Sequence, residues 1–148
     1  MFAPKRILVP TDFSEDSDEA LKQALELAKQ YHAKVYVLHV AERITQCAGD
    51  FCLDASTMRE AEDSEILRVR QMMQEELSKF PEVQGIEVVS DIREGDPVRE
   101  ILREQDEKGV DLIVMPSHRK ASLFKRLMGQ VSEKVMEEAK SPVLLVRH

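Results

Sequence analysis

The chain has 148 residues, 43% of them apolar and 33% charged, with a formal net charge of −7. That length suits one domain, 1–148, and that apolar share supports one core beneath a charged surface, which excludes a disordered chain. The acidic balance argues against nucleic-acid binding, which needs a clustered basic face, and no apolar run approaches the ~20 residues of a membrane-spanning helix.

The N-terminal stretch Met1–Arg6 holds no apolar run suited to a secretion leader, so the expected compartment is the cytoplasm. Lys5–Pro10 reads as a short apolar strand ended by proline. Ser14–His32 follows as a helix, with Ala20, Leu21, Ala24, Leu25, Ala28 and Tyr31 on one stripe. Its first turn is acidic, as the positive end of a helix dipole favours. Lys34–Ala41 is a second strand, and Glu42–Asp54 has no period and reads as a loop. Ala55–Phe80 is a long helix buried through Ile66, Val69, Met73, Leu77 and Phe80, with Pro81 as its stop. Ile86–Arg93 is a third strand. Asp96-Pro97 opens a helix that runs to Lys108 and ends at Gly109. Val110–Met115 is a fourth strand, apolar enough to be buried on both faces. A basic loop leads to a helix over Gly129–Lys140, and Pro142–Arg147 is the fifth strand.

This alternation specifies an α/β fold. The expected form is a five-stranded, mostly parallel open sheet of order 3-2-1-4-5, with helices on both faces. In such sheets ligands bind beyond the carboxyl ends of the strands, where the order reverses. The loops that meet there are Pro10-Thr11-Asp12-Phe13-Ser14 and Met115-Pro116-Ser117-His118-Arg119. A helix start at Gly129-Gln130-Val131-Ser132 would add unpaired N–H groups able to hold an anion. Asp12 has two readings, as acceptor for a ligand amine or ribose hydroxyl and as a cap for the first helix. Ser132 likewise can bond a phosphate or face solvent in the first helical turn.

At these residues the chain resembles the universal stress protein family, over nearly its whole length. The resemblance rests on Ile7-Leu8-Val9-Pro10-Thr11-Asp12-Phe13-Ser14, Gly95-Asp96-Pro97 and Asp111-Leu112-Ile113-Val114-Met115. Gly129-Gln130-Val131-Ser132-Glu133-Lys134-Val135 and Ser141-Pro142-Val143-Leu144-Leu145-Val146 complete it. It implies an adenine nucleotide alpha hydrolase-like fold and a homodimer through the last strand, Val143–Val146. Nucleotide-binding members of the family carry G-x-x-G, nine residues, then G-[ST]. Here the spacing survives, but Pro116 and Arg119 stand at the first two glycines, and Gln130 follows the retained Gly129. Glycines let a backbone approach phosphate closely, whereas proline has no N–H to donate. The expectation is a non-enzymatic, dimeric stress-response protein with weak or no ATP binding and no cofactor.

A second reading keeps ATP or another adenine nucleotide, with or without slow ATP hydrolysis. Its contact set is Pro10, Thr11, Asp12, Val40, Met115, Ser117, Gly129, Gln130, Val131 and Ser132. Arg119, Lys120, Lys125 and Arg126, with His118 beside them, form either a side-chain anion site or a solvated basic loop. A third reading is a thiol redox or metal sensor through Cys47 and Cys52. Two thiols without a further ligand pair fall short of a structural zinc site. His39 reads as packed or capping. His118 gathers no nucleophile and base around it, and no P-loop or dinucleotide fingerprint is present, so no catalytic residue is expected.

Overall fold

The computed structural model describes residues 2–41, 55–117 and 123–147, with the backbone alone for residues 55, 57, 58 and 123–129. Its strands are β1 (Arg6–Pro10), β2 (Lys34–Ala41), β3 (Val88–Glu94), β4 (Leu112–Ser117) and β5 (Val143–Arg147). Its helices are α1 (Glu15–Tyr31), α2 (Ala55–Ser78), α3 (Pro97–Lys108) and α4 (Leu123–Glu138), with a 3-10 turn at Pro81–Val83. The strands pair in parallel in the order β3-β2-β1-β4-β5, as the alternation of elements requires.

Side-chain alternation along the strands divides the core in two. Ile7 and Val9 of β1 join Val35, Val37 and Val114 against Leu21 and Leu25 of α1 and Met73 of α2. Leu8 faces the other way, with Leu38, Ile113 and Met115, against Ile101 of α3 and Val135 of α4. Each of these fully buried aliphatic side chains contributes about 1.5–3 kcal/mol of transfer free energy. The connections therefore place α1 and α2 on one face and α3 and α4 on the other.

The helix ends follow local chemistry. Ser14 caps α1, its hydroxyl accepting from the Ser17 N–H, and His32 closes it in the left-handed conformation. Asp96 caps α3 by accepting from the Arg99 N–H, with Pro97 in the first turn. Gly109 ends α3 at φ 61°, where an added Cβ would lie 2.9 Å from Arg6 Nη1. The positive φ favours glycine there, whereas the arginine end can move aside for a larger residue.

Several boundaries differ from expectation, among them the starts of the third strand, the fourth strand and the last helix. The third strand begins at Val88 rather than Ile86, because the Ile86 N–H is taken by the Val83 carbonyl in the preceding turn. The fourth runs Leu112–Ser117, because the Val110 N–H still bonds the α3 carbonyl of Gln105. The last helix begins at Leu123, not Gly129. The four-residue spacing of Leu123, Leu127, Val131 and Val135 carries its apolar stripe backward, and a glycine inside a helix costs only about 1 kcal/mol.

Candidate functional site

The sheet splits where its order reverses. β1 pairs with β2 along Arg6–Pro10 but with β4 only at Ile7 and Leu8, opposite Leu112 and Ile113. Beyond that point β4 continues alongside β5 through Ser117. A gap therefore opens between the ends of β1 and β4, with a proline on each side. Thr11 donates to Leu38 on the β2 side, and Ile113 donates to Pro142 on the β5 side. Strand alternation then turns positions 10 and 116 into the gap. Neither Pro10 nor Pro116 removes a ladder hydrogen bond, because the missing N–H of each faces the split.

The β1 wall is a closed polar network. The Oδ1 of Asp12 accepts from the Ser14 N–H at 3.0 Å, from the Ser14 hydroxyl, and from the Ser17 hydroxyl at 2.8 Å. Thr11 Oγ1 accepts from the Phe13 N–H at 3.0 Å and lies 3.2 Å from Ser17 Oγ. These bonds hold Phe13 at φ 64°, a conformation uncommon for a bulky side chain. Asp12 is thus not the helix cap itself. It supports the cap, Ser14, from two residues upstream.

His39, at the end of β2, completes this wall. Its Nδ1 lies 2.9 Å from the Thr11 carbonyl, which can only accept, so Nδ1 carries the proton. The ring packs on Phe13, with centroids 4.6 Å apart. His39 is packed, as expected, yet it sits beside the gap and fixes the turn that lines it. Phe13, Ser17 and His39 were absent from the expected contact set. For two of them the signal was position: Phe13 follows Asp12 in the chain, and His39 follows Leu38, the register partner of Pro10, whereas Ser17 reaches the turn from five residues on, inside α1. Val40 follows on β2 and is half-buried.

The β4 wall is closed differently. Met115 is fully buried, Pro116 is buried and Ser117 is half-buried. Ser132, 3% exposed, donates its hydroxyl to the Pro116 carbonyl at 3.1 Å. It faces inward rather than toward solvent, and its oxygen is committed to the wall. Gln130 is exposed and Val131 half-buried. Because α4 begins at Leu123, Gly129 to Ser132 lie inside the helix, where their N–H groups serve the helix ladder. The anion site expected of a helix start at Gly129 does not form at those residues. His118, Arg119 and Lys120, the side chains of Lys125 and Arg126, and both Cys47 and Cys52 lie outside the described residues.

Charge is concentrated elsewhere, between β3 and α3. Arg93 donates through Nε to Glu104 Oε2 at 2.9 Å and through Nη2 to Glu107, with Glu100 at 3.7 Å. Glu104 is fully buried. Burial holds its carboxyl above the usual range, with Arg93 opposing and Asp91 adding to the rise. Its Oε1 and the Oδ2 of Asp91 are buried without a hydrogen-bond donor, each 4.0 Å from Lys108 Nζ. The exposed Glu107 carboxyl is held below its usual range by Arg93.

Among the described residues no group of His, Cys, Asp and Glu side chains is placed to hold a metal ion. Among them, too, no helix is long and apolar enough to cross a membrane.

A family model described as the universal stress protein family matches residues 4–147. The universal stress protein MJ0531 of Methanocaldococcus jannaschii is 32% identical over 97% of this chain and 82% of its own. MJ0577 of the same organism, also named a universal stress protein, is 33% identical over 97% of this chain and 94% of its own. A solved structure of MJ0577 aligns with TM-score 0.78 at 29% identity, covering 99% of this chain and 98% of that one. A universal stress protein solved in complex with cAMP aligns with TM-score 0.68 at 20% identity over 99% and 98% of the two chains.

Proposed function

The chain belongs to the universal stress protein family, and from that premise we propose a non-enzymatic, regulatory member that holds ATP weakly or not at all and acts as a homodimer. One observation carries the reading of the crevice. The Ser132 hydroxyl, which a phosphate would need, is buried and bonded to the Pro116 carbonyl at 3.1 Å. Pro116 itself offers no N–H to the gap. Arg119 and Gln130 replace two further residues of the family's phosphate motif, of which Gly129 is retained. Beside the gap the Ser14 and Ser17 hydroxyls are engaged with Asp12 as supports of the turn into α1, which supports a binding rather than a catalytic role.

The adenine-nucleotide reading persists for ligands with a lighter phosphate load. The Thr11–Asp12 wall is rigid and carboxylate-bearing, and one structural neighbour holds cAMP. A nucleoside or nucleoside monophosphate asks less of the Pro116–Gln130 end than a triphosphate does.

β5 supports the dimer. It is the outer strand, paired to β4 on one side, and Leu144 is 40% exposed. A second copy laid along it would satisfy the free edge and cover that side chain. Native mass spectrometry of the purified chain tests both clauses. A dimer mass without retained ATP is expected; a retained triphosphate overturns the ligand clause, and a monomer mass overturns the dimer.

A further inference from the structure

We propose that the amino ends of β1, β2 and β3 form a second site, for a small molecule carrying several phosphate charges. A cavity of about 570 Å³ opens there, between the end of α1 and the starts of the three strands. That volume lies within the range of small-molecule pockets, roughly 300–1,000 Å³. It sits at the opposite rim of the sheet from the Pro10–Pro116 gap, about 16 Å away along a five-residue strand.

Its chemistry runs against the composition of the chain. The chain carries a net charge of −7, yet Lys5, Arg6, Lys29, His32 and Lys34 line this cavity against one carboxylate, Glu87. These five come from three separate parts of the fold: the approach to β1, the last turn of α1 with its cap, and the first residue of β2. Lys29 and His32 also suit the negative end of α1, but Lys5, Arg6 and Lys34 are not placed by that helix. A concave surface with an excess of one sign of charge gathers ions of the other sign.

Two of the cations are already occupied. Lys34 pairs with Glu87 at 3.0 Å, and Arg6 donates to the Lys108 carbonyl at 2.9 Å. The nearby Asp111 carboxylate is taken up by the backbone N–H groups of Lys5 and Arg6 at 3.0–3.1 Å. The side chains of Lys5, Lys29 and His32 have no ion pair among the described residues. An anion with charges spread over several oxygens can meet these separated donors together. A single carboxylate can reach only one or two of them.

The test is an amide NMR titration of the whole chain with inorganic tripolyphosphate, repeated with AMP. Saturable shifts are expected at Lys29, His32, Lys34 and Gly85 for tripolyphosphate, with Thr11 and Asp12 unmoved, so failure here leaves the reading of the crevice standing. The same spectra report that each variant is folded. Lys5→Gln combined with Lys29→Gln is expected to weaken binding at least tenfold, while Lys22→Gln, elsewhere on α1, leaves it unchanged. Absence of saturation at about 10 mM ligand, shifts centred elsewhere, or equal weakening by Lys22→Gln would each overturn the proposal.

Discussion

The turn after β1 and the face between β3 and α3 both bury polar groups, and they do so in opposite ways. In the turn, Asp12 accepts from the Ser14 N–H and from the hydroxyls of Ser14 and Ser17, all within five residues of chain. On the face, Arg93 reaches from β3 to three glutamates spread over α3, and two carboxylate oxygens remain without a donor. The first arrangement is local and satisfied, so it holds a fixed shape at small cost. The second gathers charge across two packed elements, β3 and α3, so its stability depends on every member and on pH. A binding wall needs the first property. The second is a clamp between an edge strand and its helix.

Breaking the clamp has the largest expected effect. Arg93→Met leaves Glu104 buried without its ion pair and is expected to cost about 3–5 kcal/mol in urea unfolding. A loss under about 1 kcal/mol would remove the contrast between the two regions. Asp12→Ala strands the three donors of the turn and is expected to cost about 2 kcal/mol, read the same way.

The clamp is expected to respond to pH through its buried carboxyl. Because burial raises the pKa of Glu104 above 4.5, the folded chain binds that proton more tightly than the unfolded chain does. Its contribution to stability is complete below pH 4.5 and is lost as pH rises through the raised value. Glu104→Gln should flatten this part of the stability profile. An unchanged slope in the variant would show that other groups set it.

The smallest effect is expected at Ser132. Ser132→Ala removes the bond to Pro116 and should cost about 1 kcal/mol in thermal unfolding. It should leave any nucleotide affinity unchanged, because the hydroxyl is committed to the wall. A weakened affinity would make that hydroxyl a ligand contact.

The strand order, the two-faced core and the helix ends at Asp96 and Gly109 were legible in the sequence, because each rests on short-range pattern; the cap of α1 was not, since the pattern offers Asp12 as the cap and Ser14 takes that place. The closed state of the crevice was not. That Ser132 turns to Pro116 depends on α4 starting at Leu123, and its stripe there runs through a basic loop that masks the period. The resemblance located the impaired phosphate motif through Pro116, Arg119 and Gln130. It did not show that both prolines face a gap in the pairing, which needs the register of β1 against β4. The clamp of Arg93 was hidden for a similar reason. Nothing in the local pattern of β3 says that its arginine will meet α3.

Isothermal titration of ATP into the native chain, beside the combined variant Pro116→Gly, Arg119→Gly and Gln130→Ser, bears most directly on the closed phosphate end. The native chain is expected to show no saturable heat up to about 1 mM ATP, and the variant to bind at least tenfold more tightly. Micromolar binding by the native chain would contradict the account.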